Sequence, residues 1–563
     1  MKTITPLSQI NQSFEKMIDH IKNRTINQVV IKNHSTYIIF LSIGNPHIRA
    51  RVLKEVSPSL SRALDNLKKR ATNLVRNNHV DPKWMKIDIV TEVKEVSFES
   101  LEQLIAETRR NYFRYGIAFD DEFRLAFLEQ EINGNAMLRS VNKSPVKLSV
   151  KNINHYLKTH FNNQPVFMKK RFQNKSVYLF KTTSFFNDEE QQEIVELLDG
   201  EYTNGIRKTD NLQDEVADLI KKSTYFLTKQ VQPSGKFNYG YFSAFAKQID
   251  TYNILRHSSS LYSMAEGYEI IKDDQILEAV QRGIEYLIRE AIVYQEGFED
   301  VAFVVDHANE KEIKLGSNAT AILAMAKYME VTNSTEYLEV AQALARGILR
   351  MKIPSGSFIH VLTYPTYEIK DMRRIIYYEG EAIFSLLRLY AIDKEEIWLN
   401  EVKHTFEYFI KNKYWKYHDH WLSYAANELT MHEPKDKYFI FGLKNCNERL
   451  DFIYHRETTY PTFLELTMAA YKMIRTIKSL GKHNLLEYID EAFLEKTIDH
   501  RAEYQRVGFF YPEMAMYMKQ PSLILDGFFI RHHSFRVRID DVEHYLSGYC
   551  QYFHHRIPKL EEK

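Results

Sequence analysis

The chain has 563 residues, 44% of them hydrophobic and 13% aromatic, which suffices for more than one core and excludes a disordered polymer. Its 75 basic and 74 acidic residues leave a net charge of +1, so no basic excess points to nucleic acid as the main partner. Two cysteines, Cys446 and Cys550, cannot build a disulfide framework or a zinc cluster, and no apolar run is long enough to span a bilayer or form a signal core, so a soluble cytoplasmic protein is expected.

The first two hundred residues mix periodicities. Gln28–Ile31, Thr36–Ile43 and Trp84–Val96 read as strands, rich in β-branched and aromatic residues or alternating in polarity. Pro58–Asn77 and Phe98–Tyr115 carry helical spacing, the first with Ser57 as a natural N-cap. This predicts an α+β domain over residues 1–205. Arg109, Arg110 and Arg114, interleaved with Tyr112, Phe113 and Tyr115, suit a phosphate or uronate, or else a domain interface or a solvated helix face. A homo-oligomer or a protein partner reached through this domain is left open.

From about Asn211 only helices are expected, alternating in kind. Thr335–Leu349 has one apolar stripe (Leu338, Ala341, Ala345, Ile348), whereas Ser317–Met329 and Glu381–Tyr390 are apolar on most sides and must be surrounded by protein. Six such pairs are expected. Outer members lie near 212–230, 273–291, 335–350, 395–411, 435–449 and 485–504; inner members begin near Tyr252, Gly316, Tyr378, Asp419, Thr458 and Arg538. Twelve helices of this pattern over residues 206–563 form a mainly α (α/α)6 toroid, with an open α-solenoid as the alternative. The turn Pro233-Ser234-Gly235-Lys236-Phe237 returns as Pro354-Ser355-Gly356-Ser357-Phe358, with looser echoes at Glu296-Gly297-Phe298 and Asp526-Gly527-Phe528.

In a closed ring the inner helices start around one cavity, where free N–H groups and the helix dipoles favour anionic or hydroxyl-rich ligands. The residues there are carboxylates, imidazoles, arginines and aromatics, the equipment for stacking on a sugar ring and moving protons. Glu381, Asp540 and His544 are the candidate proton-transfer residues. Asp540 and His544, at i and i+4, share one helix face, an arrangement that serves catalysis or simply satisfies a buried histidine. Candidates for substrate binding are Arg256, His257, Tyr378, Glu379, Asp419, His420, Trp421, Arg456, Glu457, Tyr460, Arg538 and Asp541. Ser317, Asn318 and Asp419 also suit helix caps, Glu379 suits the helix dipole, and Arg456-Glu457 suits a surface ion pair. His418-Asp419-His420 looks like a metal tract, but three adjacent side chains cannot all face one ion, and neither metal nor cofactor is expected.

Residues 212–556 resemble the six-hairpin (α/α)6 glycosidase and epimerase superfamily, which includes unsaturated glucuronyl hydrolases and N-acylglucosamine 2-epimerases. The resemblance rests on the two Pro-Ser-Gly-x-Phe turns, on Leu315-Gly316-Ser317-Asn318 and on Tyr378-Glu379-Gly380-Glu381-Ala382. It implies Asp or Glu acid/base residues if the chain is hydrolase-like, and paired histidines if it is epimerase-like. The expected function is therefore a carbohydrate-active enzyme on an acidic or amino sugar or its oligomer, in the setting of a bacterial surface polysaccharide. The rival expectation is a non-catalytic scaffold that binds a glycan or a protein in polysaccharide assembly.

Overall fold

The computed structural model describes residues 6–78, 80–140, 144–160, 166–189, 194–200 and 202–558, and 54% of it is helical. The chain divides into two compact units that interleave in sequence. One holds Met1–Asp210, Tyr241–Lys247 and Val507–Val537; the other holds Asn211–Gly240, Gln248–Arg506 and Arg538–Lys563. A single cut near residue 205 therefore misses two stretches of the later chain that pack with the first unit.

The first unit is built on an antiparallel sheet. Strands β1 (Val29–Ile31), β2 (His34–Gly44), β3 (Arg51–Ser57), β4 (Trp84–Ser97), β5 (Gly116–Ala118), β6 (Ala126–Phe127), β7 (Ser176–Asp188) and β8 (Ile194–Glu196) run in the order β1-β2-β4-β7-β5-β6, with β3 beside β2 and β8 beside β7. Period-two alternation sends Ile39, Leu41, Ile87 and Ile89 to one face, against helices α1 (Pro6–Lys22) and α2 (Leu60–Asn78). Phe40, Phe180 and Phe186 fill the other face with Met516 and Tyr517 from the later segment. The predicted helix Phe98–Tyr115 ends early: α3 (Phe98–Glu107) stops where the Thr108 hydroxyl turns back onto the Leu104 carbonyl, and Asn111 takes a positive φ of 64°. Arg114 is spent on a buried ion pair with Glu129, at 2.5 Å. Helices α4 (Glu129–Gly134) and α5 (Val150–His160) also belong to this unit.

In the second unit, twelve helices among the described residues form two rings. The outer helices are α6 (Leu212–Gln230), α8 (Asp274–Glu290), α10 (Leu338–Arg350), α12 (Glu396–Lys411), α14 (Asp436–Asn447) and α16 (Glu491–Tyr504). The inner helices are α7 (Ile254–Ile271), α9 (Leu315–Thr332), α11 (Tyr377–Asp393), α13 (His420–His432), α15 (Thr462–Ser479) and α17 (Ile539–His555). Each inner helix packs on the next, and α17 packs on α7, so the ring is closed and the open solenoid is excluded. The inner helices are buried almost all round; Leu315 to Met329 of α9 are all buried.

The two Pro-Ser-Gly-x-Phe turns share one hydrogen-bond pattern. Gly235 N–H reaches Gln232 O and Gln232 N–H reaches Lys236 O, each at 2.9 Å; Gly356 and Ile353 repeat this with Ile353 O and Ser357 O at 3.0 and 2.9 Å. Both glycines have φ near +90°, at 89° and 98°, a conformation other residues rarely adopt. The looser echoes differ: Gly297 turns a hairpin, and Asp526-Gly527-Phe528 lies in the first unit. That hairpin belongs to a five-stranded antiparallel sheet, β9 (Ile292–Gln295), β10 (Phe298–Asp306), β11 (Glu312–Lys314), β12 (Val361–Thr363) and β13 (Ile369–Asp371), where only helices were expected. The run Val301-Ala302-Phe303-Val304-Val305 is β-branched and wholly buried, and burial on both faces overrides the helical context. Asn318 ties α9 to this sheet, its Oδ1 accepting from Val304 N at 2.8 Å, so it lies within the first turn instead of capping it.

Candidate functional site

The first turns of all six inner helices contribute to one buried polar cluster. Asp419 caps α13, its carboxylate accepting from Trp421 N at 3.0 Å and Leu422 N at 3.3 Å. It is wholly buried, and burial pushes its carboxyl well above the usual range against the pull of those two N–H groups. Glu381, in the first turns of α11, lies against Gly316 at the start of α9. A Cβ on Gly316 would sit 2.1 Å from Glu381 Oε2, so only glycine leaves room. That oxygen has no hydrogen-bond partner among the described residues, and burial, with Asp419 and Glu543 beside it, pushes the carboxyl up to about 8. At neutral pH Glu381 therefore carries its proton.

Two histidines meet here in opposite states. His420 and His544 stand edge to face with ring centroids 5.1 Å apart. His544 Nδ1 is 3.1 Å from Glu465 Oε2 and 3.3 Å from Glu543 Oε1. Burial alone would lower its pKa, but Glu543 and Glu465 outweigh it and raise it to about 10; burial also raises both carboxyls, Glu543 to about 8, so the three groups titrate as one set. His420 is held far below its ordinary value, first by burial and then by the cation of His544, and its Nε2 has no partner among the described residues. The pair is thus a neutral imidazole beside an imidazolium. Trp421 packs against both Phe384 and Tyr424 with its ring 6.4 Å from His544. Tyr424 donates to Glu465 Oε1 at 3.3 Å, and Ser259 donates to Glu543 Oε2 at 3.1 Å.

Beside this cluster Arg256 Nε meets Asp540 at 3.0 Å, while Arg538 reaches both Asp540 and Asp541. Arg256 also donates to the Tyr239 hydroxyl at 2.8 Å, and its side chain stays one-third exposed. The expected Asp540–His544 partnership is corrected: Asp540 is engaged by two arginines, and Glu465 and Glu543 hold His544.

Four other expected site residues are also corrected. His257 is wholly buried and faces α8, with Nε2 at 2.9 Å from Gly283 O and Nδ1 at 2.8 Å from the Tyr252 hydroxyl; both nitrogens are spent. Glu379 points to the second Pro-Ser-Gly-x-Phe turn, accepting from Ser357 Oγ near His360. Arg456 donates to Thr458 Oγ1 at 2.7 Å and stacks on Phe452, and the Glu457 carbonyl accepts from the Tyr504 hydroxyl, which places both away from the histidine pair. Tyr378 is buried against His360 and Gly316, next to Glu381, and Tyr460 reaches Tyr377 from a part-exposed position.

The sequence reading missed Glu465, Glu543 and Ser259. Glu465 had a visible signal, an acid inside the apolar run Phe463-Leu464-Glu465-Leu466. His420, Glu465 and His544 each offer a ligand atom within 4.8 Å of the others, a metal-like spacing. The bond between His544 Nδ1 and Glu465 already occupies two of the atoms an ion would take.

No protein-family model and no curated protein matches the sequence. Among solved structures, the chain is similar to a D-mannose isomerase (11% identity, 60% of this chain and 97% of that one, TM-score 0.45). It is similar to a sugar epimerase from a ruminal bacterium (13%, 61% and 99%, 0.48) and to the GH76 α-mannanase of Bacteroides thetaiotaomicron (9%, 62% and 97%, 0.44). These neighbours are (α/α)6 toroids. The assignment of that architecture here rests on the closed ring of inner helices. No helix among the described residues is long and apolar enough to cross a membrane.

Proposed function

We propose that the cluster at the inner-helix starts is the active site of a carbohydrate-active enzyme that moves a proton at the carbon next to a sugar carbonyl, as in 2-epimerisation or aldose–ketose isomerisation. The observation that carries this reading is the histidine pair. A base must be free of its proton and an acid must hold one, and neighbouring groups whose pKa values are pushed apart supply both. Neutral His420 takes the C2 proton of an open-chain sugar, and cationic His544 protonates the enediolate. Glu465 and Glu543 keep His544 charged. Arg256, part-exposed beside Arg538, faces the carboxylate of an acidic sugar or the developing oxyanion. Glycoside hydrolysis is the second reading, favoured by the proton on Glu381. Its buried neighbour Asp419 is pushed the same way, leaving that pair short of an ionised member. We also propose that the sheet-based first unit is an α+β domain separate from the toroid.

The test is incubation with neutral, uronic and amino aldoses in D2O, read by loss of the C2–H signal. His420→Ala and His544→Ala should each slow exchange by about 10²–10⁴-fold with melting unchanged. Release of new reducing ends from oligosaccharides without C2 exchange would replace this reading with hydrolysis; binding with neither would leave a scaffold.

A further inference from the structure

The opposite end of the toroid holds a second cavity, of about 350 Å³, within the size range of small-molecule sites. All six inner helices contribute to its walls: the charged residues come from their C-terminal halves, and the aromatic ones from nearer their middles. One wall is aromatic: Phe384 stacks on Tyr424 with centroids 5.5 Å apart and meets Tyr262 edge-on at 6.5 Å.

The remaining wall is a belt of alternating charge. Lys327 bonds Glu269 and Glu330 at 2.8 and 3.2 Å, and Arg388 joins Glu330 to Glu428, the latter at 3.0 Å. Lys472 donates to Gln551 at 3.0 Å, and Gln551 donates to Glu266, also at 3.0 Å. Three cations thus face four carboxylates, and burial pushes one of these, Glu266, up to about 7. Burial also holds His554 and His555 neutral at that pH. A lining this close to neutral gives no net attraction to a charged ligand.

Hydrogen-bonding capacity is nevertheless left over. The Tyr262 hydroxyl and the Asn427 side-chain amide line the cavity with no hydrogen-bond partner among the described residues, and Lys472 uses one of three donors. An aromatic face for C–H groups, unspent donors and acceptors for hydroxyls, and charges that nearly cancel together describe a site for one uncharged sugar ring.

We propose that this rear cavity is a second ligand site, for a neutral monosaccharide-sized polyol. It adjoins the histidine pair through Tyr424, which donates to Glu465, but does not depend on the chemistry proposed there.

Titration calorimetry with D-mannose, D-glucose and D-galactose, and with D-glucuronate as the charged control, tests it on the full chain. At least one neutral sugar should bind wild type and His420→Ala through a shared site. That binding should weaken about tenfold or more in Asn427→Leu, the loss of one hydrogen bond and a blocked wall. Tyr262→Phe, a smaller change, gives the same readout if Asn427→Leu fails to fold. Crystals soaked in that sugar should show it against Phe384 and Tyr424. No binding of any neutral sugar, binding undiminished in both rear variants, or glucuronate bound as tightly through the same residues would each overturn the proposal.

Discussion

His544 owes its charge to a residue 79 positions away, Glu465, and to its own neighbour Glu543. Glu465→Gln removes the nearer counter-ion, so the pKa of His544 should fall from about 10 toward its ordinary value of about 6.5. The alkaline limb of the rate profile should move down with it, and ring NMR titration of the free protein gives the same shift without substrate. A second expectation concerns stability. The folded pKa of Glu381, about 8, lies above the ordinary 4.5, so its contribution is full below pH 4.5 and is lost as the pH rises through 8. Each pKa unit is about 1.4 kcal/mol, so the loss is on the order of a few kcal/mol. Glu381→Gln should flatten the dependence of the melting temperature on pH between 5 and 8; an unchanged slope would mean the carboxyl is not the group responsible. The sequence brought out Glu381, His420 and His544 but paired His544 with Asp540. Spacing along one helix places two side chains on a shared face, yet Arg256 of α7 and Arg538 compete for Asp540, and that competition lies between helices.

At the scale of single elements, glycines decide how closely the inner helices approach. Gly316→Ala would drive a methyl into Glu381, Tyr378 and Leu255, the last two at 2.6 and 2.8 Å. It should cost about 1–3 kcal/mol in urea unfolding and displace Glu381, read as a change in that group's pH dependence. Gly235→Ala meets both a positive φ and the Arg282 carbonyl at 2.1 Å, so it too should destabilise, by more than about 1 kcal/mol. The twelve helices were legible because inner and outer roles differ in how much of each surface is apolar. Observed inner starts at 254, 315, 377, 420, 462 and 539 follow the expected order closely. The five-stranded sheet was hidden because its strands sit inside a helical array, and a short apolar run such as Val301–Val305 reads equally as buried helix or strand.

Across the whole molecule, burial extends to both cysteines. Cys446 and Cys550 are buried and burial raises both thiols, but Cys550 lines the rear cavity, so it is Cys446 that should not react with a thiol reagent until the toroid opens. Rapid labelling of Cys446 in the native protein at neutral pH would contradict the closed ring. The interleaving of the two units was not legible, because Tyr241–Lys247 and Val507–Val537 carry no break in composition at their edges, and only long-range packing assigns them.

Closure of the ring depends on α17 meeting α7, and their bond from Ser259 to Glu543 joins residues 284 positions apart. During synthesis α7 leaves the ribosome first and waits for its last neighbour. At roughly 5–20 residues per second that interval is about 14–57 s. Through that time Ser259 and Glu266 of α7 lack Glu543, Ser547 and Gln551, the partners that α17 brings, and the cavity that both helices line does not exist. The nascent chain is therefore an open arc whose first inner helix keeps polar groups hydrated until the last one arrives.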